Sequence, residues 1–414
     1  MKQQIKANLH TPKELEKLYR SNKPQFKREF ISLYHEVTGD PAADVWHERL
    51  NFESDDINWG TSTELAFILI GSMLAGTIAK LPAYINIDEE FFYSRHIGFI
   101  IFPVLSAYFA WKNKLSLTKI GIVTGATLTA LLFINFLPDV KTSDTLVLSC
   151  MHLVLFLWSI LGFAFIGNTN NVNEKRLGYL KYNGDLVVMT TLILIAGAIL
   201  SGITVGLFSL IGLHIGEFYF KYVVVFGLAA APIIGTYLTQ TNPTLVGKVS
   251  PVIAKLFSPL VLVMLVIYLG AILSSGKDPY NDRDFLIIFN VLLTGVMAII
   301  FFSVAESSKA NKSQTATWIL FLLSVFTIIV NAVALSAILF RIAEWGITPN
   351  RAAVLGSNIL ILINLGLVTT RLFKVVIDKA ELSEVGKTIA SYLPIYFIWT
   401  IIVTFIFPFL FGFK

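Results

Sequence analysis

Residues 314–340, QTATWILFLLSVFTIIVNAVALSAILF, decide the fold class of this chain. The stretch contains no Asp, Glu, Lys or Arg. A helix needs about 20 predominantly apolar residues to cross the roughly 30 Å hydrocarbon core of a bilayer. The stretch therefore predicts a membrane-spanning helix.

The next residues, RIAEWGITPNR at 341–351, form a polar segment in front of another hydrophobic run. Its charged and amide side chains belong to Arg341, Glu344, Asn350 and Arg351. Thr348 and Pro349 are typical of a helix start, because Pro is favoured at the first helical position. Trp345 is typical of an anchor at the membrane interface. The segment therefore predicts a turn at the end of a pair of spans.

The composition extends this prediction to most of the chain. The 414 residues are 55% hydrophobic and 14% charged, with a mean hydropathy of +0.71, whereas soluble domains are roughly a quarter charged. The net charge of +5 does not indicate nucleic-acid binding, since basic residues in membrane proteins collect in cytoplasmic loops. The single cysteine, Cys150, excludes an internal disulfide and a multi-cysteine metal site.

The hydrophobic runs predict an all-α, polytopic bundle of about eleven spans. We place them at 62–85, 95–112, 117–137, 143–167, 185–210, 218–238, 258–275, 284–305, 314–340, 351–371 and 389–411. The first residues contain no apolar core of a signal peptide, so the first span is expected to be an uncleaved anchor. Residues 61–414 are therefore predicted to form the membrane domain.

Residues 1–60 are predicted to form a small cytosolic cap of three helices. Thr11, Pro12 and Glu14 match an N-cap, a first-position proline and a capping-box acid. Gly39 is a stop signal before the last helix. A cap of this size is expected to pack on the membrane domain or to bind a protein partner.

The distribution of basic residues predicts the orientation. With the N-terminus in the cytoplasm, 23 of the 32 Lys and Arg residues lie on the inner side and 9 on the outer side. This asymmetry follows the positive-inside rule. An odd number of missed or extra spans would reverse every later loop.

Polar groups are sparse within the predicted spans. His152, Asn290 and Asn331 are the candidate intramembrane sites. An ionisable group in a span indicates function by default, although a neutral histidine can also be satisfied by a hydroxyl or a carbonyl. The asparagines are typical of hydrogen bonds between helices. No pair of deep carboxylates is expected, which argues against an acidic proton- or sodium-coupled pump.

A second polar loop is predicted on the same outer face as the 341–351 turn. Its charged residues are Asp278, Asp282, Arg283 and Asp284. Their spacing does not match an EF-hand, so helix capping is the simpler interpretation. The arginines of the two loops could pair with these acids or bind a phosphate or carboxylate. We expect a structural clasp more than a ligand site.

The chain resembles a bacterial inner-membrane family known as domain of unknown function 4153. The resemblance is carried by the GITPNR stretch at 346–351, by AVLGSN after it and by PYNDRDFLIIFN before it. Members are multi-span helical proteins with a Gly-x-Thr-Pro-Asn-Arg turn late in the chain. The resemblance implies a location in the bacterial inner membrane. It implies no activity and no site residues.

No catalytic motif is found in the sequence, so an enzyme is not predicted, and neither is a cofactor or a metal. The leading hypothesis is a transporter-like or channel-like protein that binds or passes a small or lipidic solute. The alternative is a non-transporting scaffold or regulatory subunit of an envelope complex. Membrane lipids, and a protein bound through residues 1–60, are the expected partners.

Overall fold

The computed structural model describes residues 1–51, 59–140, 142–210, 213–243, 257–267, 269–270, 283–307 and 314–414. All regular elements in these ranges are helices, as the sequence predicts. The chain divides into two compact units, residues 1–58 and residues 59–414.

The N-terminal unit consists of four helices, one more than predicted. They are α1 (Lys2–Ala7), α2 (Pro12–Ser21), α3 (Lys23–Val37) and α4 (Pro41–Asn51). The unpredicted helix is α1, which is held because Ile5 is fully buried in the core of the unit. The core is aromatic and aliphatic and includes Leu15, Phe26, Phe30, Leu33 and Trp46.

The start of α2 differs from the predicted capping box. Pro12 is the first helical residue, as expected, but Thr11 makes no side-chain capping bond. The Glu14 N–H instead donates to the backbone carbonyl of Thr11. The Glu14 carboxylate forms an ion pair with Lys17, with 2.7 Å between Oε1 and Nζ.

An ion-pair network holds α1 on α3. Lys2 and Lys6 each place their Nζ 2.8 Å from a carboxylate oxygen of Glu36. Hydrogen bonds from Lys2 and then Lys6 lower the pKa of Glu36 to about 2. All three side chains are largely exposed, so these pairs position the short helix more than they stabilise the unit.

The membrane unit contains the remaining helices. They are α5 (Ser62–Ile85), α6 (Glu89–Lys112), α7 (Leu117–Phe136), α8 (Asp144–Ile166), α9 (Val172–Leu210), α10 (Gly216–Thr241), α11 (Phe257–Ile267), α12 (Arg283–Ser307), α13 (Gln314–Trp345), α14 (Pro349–Val376) and α15 (Leu382–Leu410). Two of them contain π-helical turns, Tyr219–Val224 in α10 and Ile402–Ile406 in α15.

Nine helices in the described ranges are long and apolar enough to cross a membrane. A multi-pass membrane protein is thus supported, while the count of eleven spans stays a prediction. The two predicted spans outside the nine correspond to α6 and α11. Helix α6 buries Arg95 and His96, and α11 is short in the described part of the chain.

Helix α9 departs most from the prediction. The expected span was 185–210, but the helix begins at Val172 and has 39 residues, about 58 Å. The added turns bury Tyr179 and Tyr182 in the main core of the membrane unit. Residues 172–184 are therefore helical and not a loop, and Tyr179 and Tyr182 belong to the bundle core.

Candidate functional site

A buried group of charged side chains lies between α9 and α12. Lys181 places its Nζ 3.0 Å from each carboxylate oxygen of Glu306. Asp185 is close enough to Glu306 for the two carboxyl groups to interact electrostatically. We call Lys181, Asp185 and Glu306 the charged cluster.

Helix geometry brings these three residues together. Lys181 and Asp185 are four residues apart on α9, so they share a face. Glu306 lies at the C-terminal end of α12. Gly184, between the two α9 residues, allows the close approach, because a Cβ there would lie 2.0 Å from the ring of Phe302 on α12.

Burial makes the two acids unusual. Asp185 and Glu306 are 8% and 7% exposed, and the Lys181 side chain is 38% exposed. Two nearby carboxylates disfavour each other's ionisation, and a single ammonium offsets only one negative charge. The cluster therefore has the chemistry to take up and release a proton or a small cation.

The sequence interpretation missed this pair. Its spans began at residue 185 and ended at residue 305, so Asp185 and Glu306 stood at span edges facing loops. The expectation that the spans contain no pair of deep carboxylates stays a prediction, because Glu306 lies at the C-terminal end of α12. The i, i+4 spacing of Lys181 and Asp185 immediately before the long apolar run at 186–210 was the available signal.

Hydrogen bonds to neighbouring helices fix the polar face of α9. Asn183 Oδ1 accepts from the Trp158 indole at 2.8 Å, and the Tyr179 hydroxyl donates to the Trp158 carbonyl at 2.6 Å. The Tyr182 and Thr236 hydroxyls are 2.8 Å apart. Residues of α8 and α10 therefore fix the rotation of α9 about its axis. This rotation determines which way the α9 face with Lys181 and Asp185 points.

The predicted intramembrane histidine is half-buried in α8. His152 Nδ1 lies 2.9 Å from the carbonyl of Leu148, one turn earlier in the same helix. This contact satisfies one ring nitrogen within the helix, as the structural interpretation requires. A functional role of His152 stays a prediction.

Asparagines from α13 and α14 meet in the C-terminal part of the bundle. Asn331 Nδ2 donates to the Asn358 carbonyl at 3.2 Å, and Asn364 Nδ2 donates to the Tyr396 hydroxyl of α15 at 3.0 Å. Both contacts join helices, as predicted for intramembrane amides. The third predicted site, Asn290, lies half-buried in α12.

The 341–351 segment forms the turn between α13 and α14. Thr348 caps α14, because its Oγ1 accepts the Arg351 N–H at 3.3 Å, and Pro349 is the first helical residue. The predicted helix start is confirmed. Asn350 belongs to the first turn, and Glu344 is exposed at the end of α13.

The two arginines of this turn both lie close to one indole. Arg351 Nη1 donates to the carbonyls of Trp345 and Gly346 at 3.0 and 2.7 Å. The guanidinium carbons of Arg341 and Arg351 each lie 5.7 Å from the Trp345 ring centre. Arg351 therefore closes the C-terminal end of α13, where a cation suits the helix dipole.

The other predicted outer loop lies largely outside the described residues. Asp278 and Asp282 fall outside them, and Arg283 and Asp284 begin α12 without a described side chain. Pairing of Arg341 or Arg351 with these acids stays a prediction. The described partners of Arg351 are carbonyl oxygens of its own turn.

Two surface pockets in the described residues contain no residue of the charged cluster. One is in the N-terminal unit, between α1 and α2. The other is on an apolar, exposed side of α5, lined by Leu69, Ile70, Met73, Leu74 and Thr77. Neither contains a residue predicted from the sequence as a membrane-domain site.

No family model matches this chain, and neither a curated protein nor a solved structure matches it. Membership of the family with the Gly-x-Thr-Pro-Asn-Arg turn therefore stays a prediction.

Proposed function

We propose that this multi-pass membrane protein is transporter-like and binds or passes a small or lipidic solute, with the charged cluster as its ion-responsive site. One observation supports the proposal most strongly: the ion pair of Lys181 with the buried Glu306, with a second buried acid, Asp185, one helical turn from Lys181 on α9. Ionisable groups inside membrane bundles are costly and commonly mark ion or substrate paths.

The chemistry of the cluster suits a coupling site. With both acids ionised, the three side chains of the charged cluster together carry one net negative charge. Binding of a proton or a monovalent cation neutralises that charge in a low-dielectric environment, where an unpaired charge costs the most. The neutralised and the negatively charged forms of the charged cluster would thus favour different packing of α9 against α12.

We place the chain in the bacterial inner membrane with its N-terminus in the cytoplasm. The basic-residue count supports this orientation. In that orientation the start of α9 and the end of α12 lie at the cytoplasmic side, and the α13–α14 turn lies outside. The charged cluster would then exchange its proton or cation with the cytoplasm.

Reconstitution in liposomes tests the proposal. Proton, sodium and potassium fluxes would be followed with internal dyes, and lipid scrambling with a labelled phospholipid. We expect Glu306→Gln to abolish most of the wild-type flux. Glu384→Gln is the matched control, because Glu384 is an exposed acid, paired with Arg371 at 3.1 Å. A Glu306→Gln protein as active as wild type, or a wild type inactive with every probe, refutes the proposal.

The alternative is a scaffold or regulatory subunit. It is favoured by α9, whose most apolar window between Val172 and Gly206 has no buried residue. An exposed span of this kind suits contact with lipid or with another membrane protein. Cross-linking in native membranes, with and without residues 1–51, tests this function. A chain that forms no cross-linked complex in either form argues against it.

A further inference from the structure

Two buried carboxamides between α13 and α14 are not satisfied by the protein. Asn331 and Asn358 are 0% and 1% exposed. Asn331 Oδ1 and Asn358 Nδ2 have no hydrogen-bond partner in the described part of the chain. The orientation of Asn331 is determined, because only its NH₂ group can donate to the Asn358 carbonyl.

The pair lies deep along both helices. Asn331 is about 21 Å along α13 from Trp345, and Asn358 is about 14 Å along α14 from Pro349, at about 1.5 Å per residue. These distances approach or exceed half the roughly 30 Å hydrocarbon core. Lipid chains offer no hydrogen bonds at that depth, so only the protein or a bound polar molecule can satisfy the amides.

Other polar side chains of the same helices do have partners. Thr369 of α14 donates to Ser324 of α13 at 3.0 Å, and Trp399 of α15 donates to Ser357 at 2.9 Å. Asn364 Oδ1, also on α14, lacks a partner among the described residues as well, but Asn331 and Asn358 are in contact with each other. Buried polar atoms in proteins nearly always have a partner, and a missing one calls for an explanation.

We infer that Asn331 and Asn358 bind one small, neutral, polar molecule of the size and hydrogen-bonding capacity of water. Asn331 Oδ1 needs a donor and Asn358 Nδ2 needs an acceptor, and water supplies both. Neither amide is charged, so the pair offers no counter-charge to an ion. The inference goes beyond the proposed function and is independent of the charged cluster.

The first test is the stability of an apolar variant in nanodiscs. If a bound molecule satisfies the amides, Asn358→Leu loses its bonds, and we expect the Tm to fall by about 2–4 °C. If Asn358 is truly unsatisfied, removing it leaves stability unchanged or higher, because an unpaired buried amide is costly. Thr369→Val is the control, since it removes a direct bond between the same helices and lowers the Tm in either case.

The second test does not depend on a folded variant. Electron cryomicroscopy of the wild type, at a resolution where ordered water is visible, should show density joining Asn331 Oδ1 and Asn358 Nδ2. A map that shows ordered water elsewhere but no density between these two atoms overturns the inference. A Tm of Asn358→Leu equal to or above that of the wild type also overturns it.

Discussion

Replacing Lys181 by Met is the most informative perturbation of the charged cluster. Met keeps the length and the apolar stem of the lysine but removes its ammonium group. The variant leaves Glu306 and Asp185 without the Lys181 ammonium group. The measured loss of stability therefore reports what that cation contributes at a buried position.

The magnitude follows from burial. Breaking a buried pair by removing one partner costs about 3–5 kcal/mol. The Glu306 side chain is 3% exposed, but the Lys181 side chain is 38% exposed, which screens part of the interaction. We therefore expect the lower end, about 3 kcal/mol. The pair Arg371–Glu384 has nearly the same length, 3.1 Å, with both side chains 44% exposed. Arg371→Met should cost at most about 1 kcal/mol.

Equilibrium unfolding by SDS in mixed micelles measures both variants. A double variant, Lys181→Met with Glu306→Gln, should recover part of the loss, because it removes the buried charge left behind by the single change. The reasoning is refuted if Lys181→Met costs no more than Arg371→Met, or if the double variant is less stable than the sum of its parts.

Three further changes test other elements. Gly184→Ala should cost about 1–3 kcal/mol of unfolding free energy by overpacking against Phe302. Gly197→Ala is the control and should be neutral or stabilising, because its Cβ would meet open space. Equal stability of the two variants in SDS unfolding contradicts the close approach of α9 and α12. Arg351→Met should cost about 1–2 kcal/mol in the same assay by removing charge-assisted bonds to two carbonyls, and an unchanged stability argues against the helix-closing role. The ionised Glu36 carboxylate, whose pKa is lowered to about 2, stabilises the position of α1. This contribution is fully present above about pH 4.5 and is lost as the pH falls through about 2. Pepsin should therefore cleave α1 of the wild type increasingly as the pH falls over that range, and Glu36→Gln should remove this dependence.

The hydrophobic run at 314–340 and the Thr348–Pro349 start of α14 could be predicted because both depend on local chemistry. A span requires only sufficient apolar length, and a helix start requires a capping side chain with Pro in the first turn. The asparagine contacts were predictable as a class, since a buried amide must find a partner. The particular residues that each asparagine contacts could not be predicted.

The sequence by itself determined the helical class, the membrane location of most of the chain and the polar turn at 341–351, because hydropathy and capping act over a few consecutive residues. Only the tertiary structure decided that α9 begins at Val172 and that Lys181 pairs with Glu306. These two residues are far apart along the chain, and their contact depends on a close approach of α9 and α12 at Gly184. That approach is set by packing and not by local propensity.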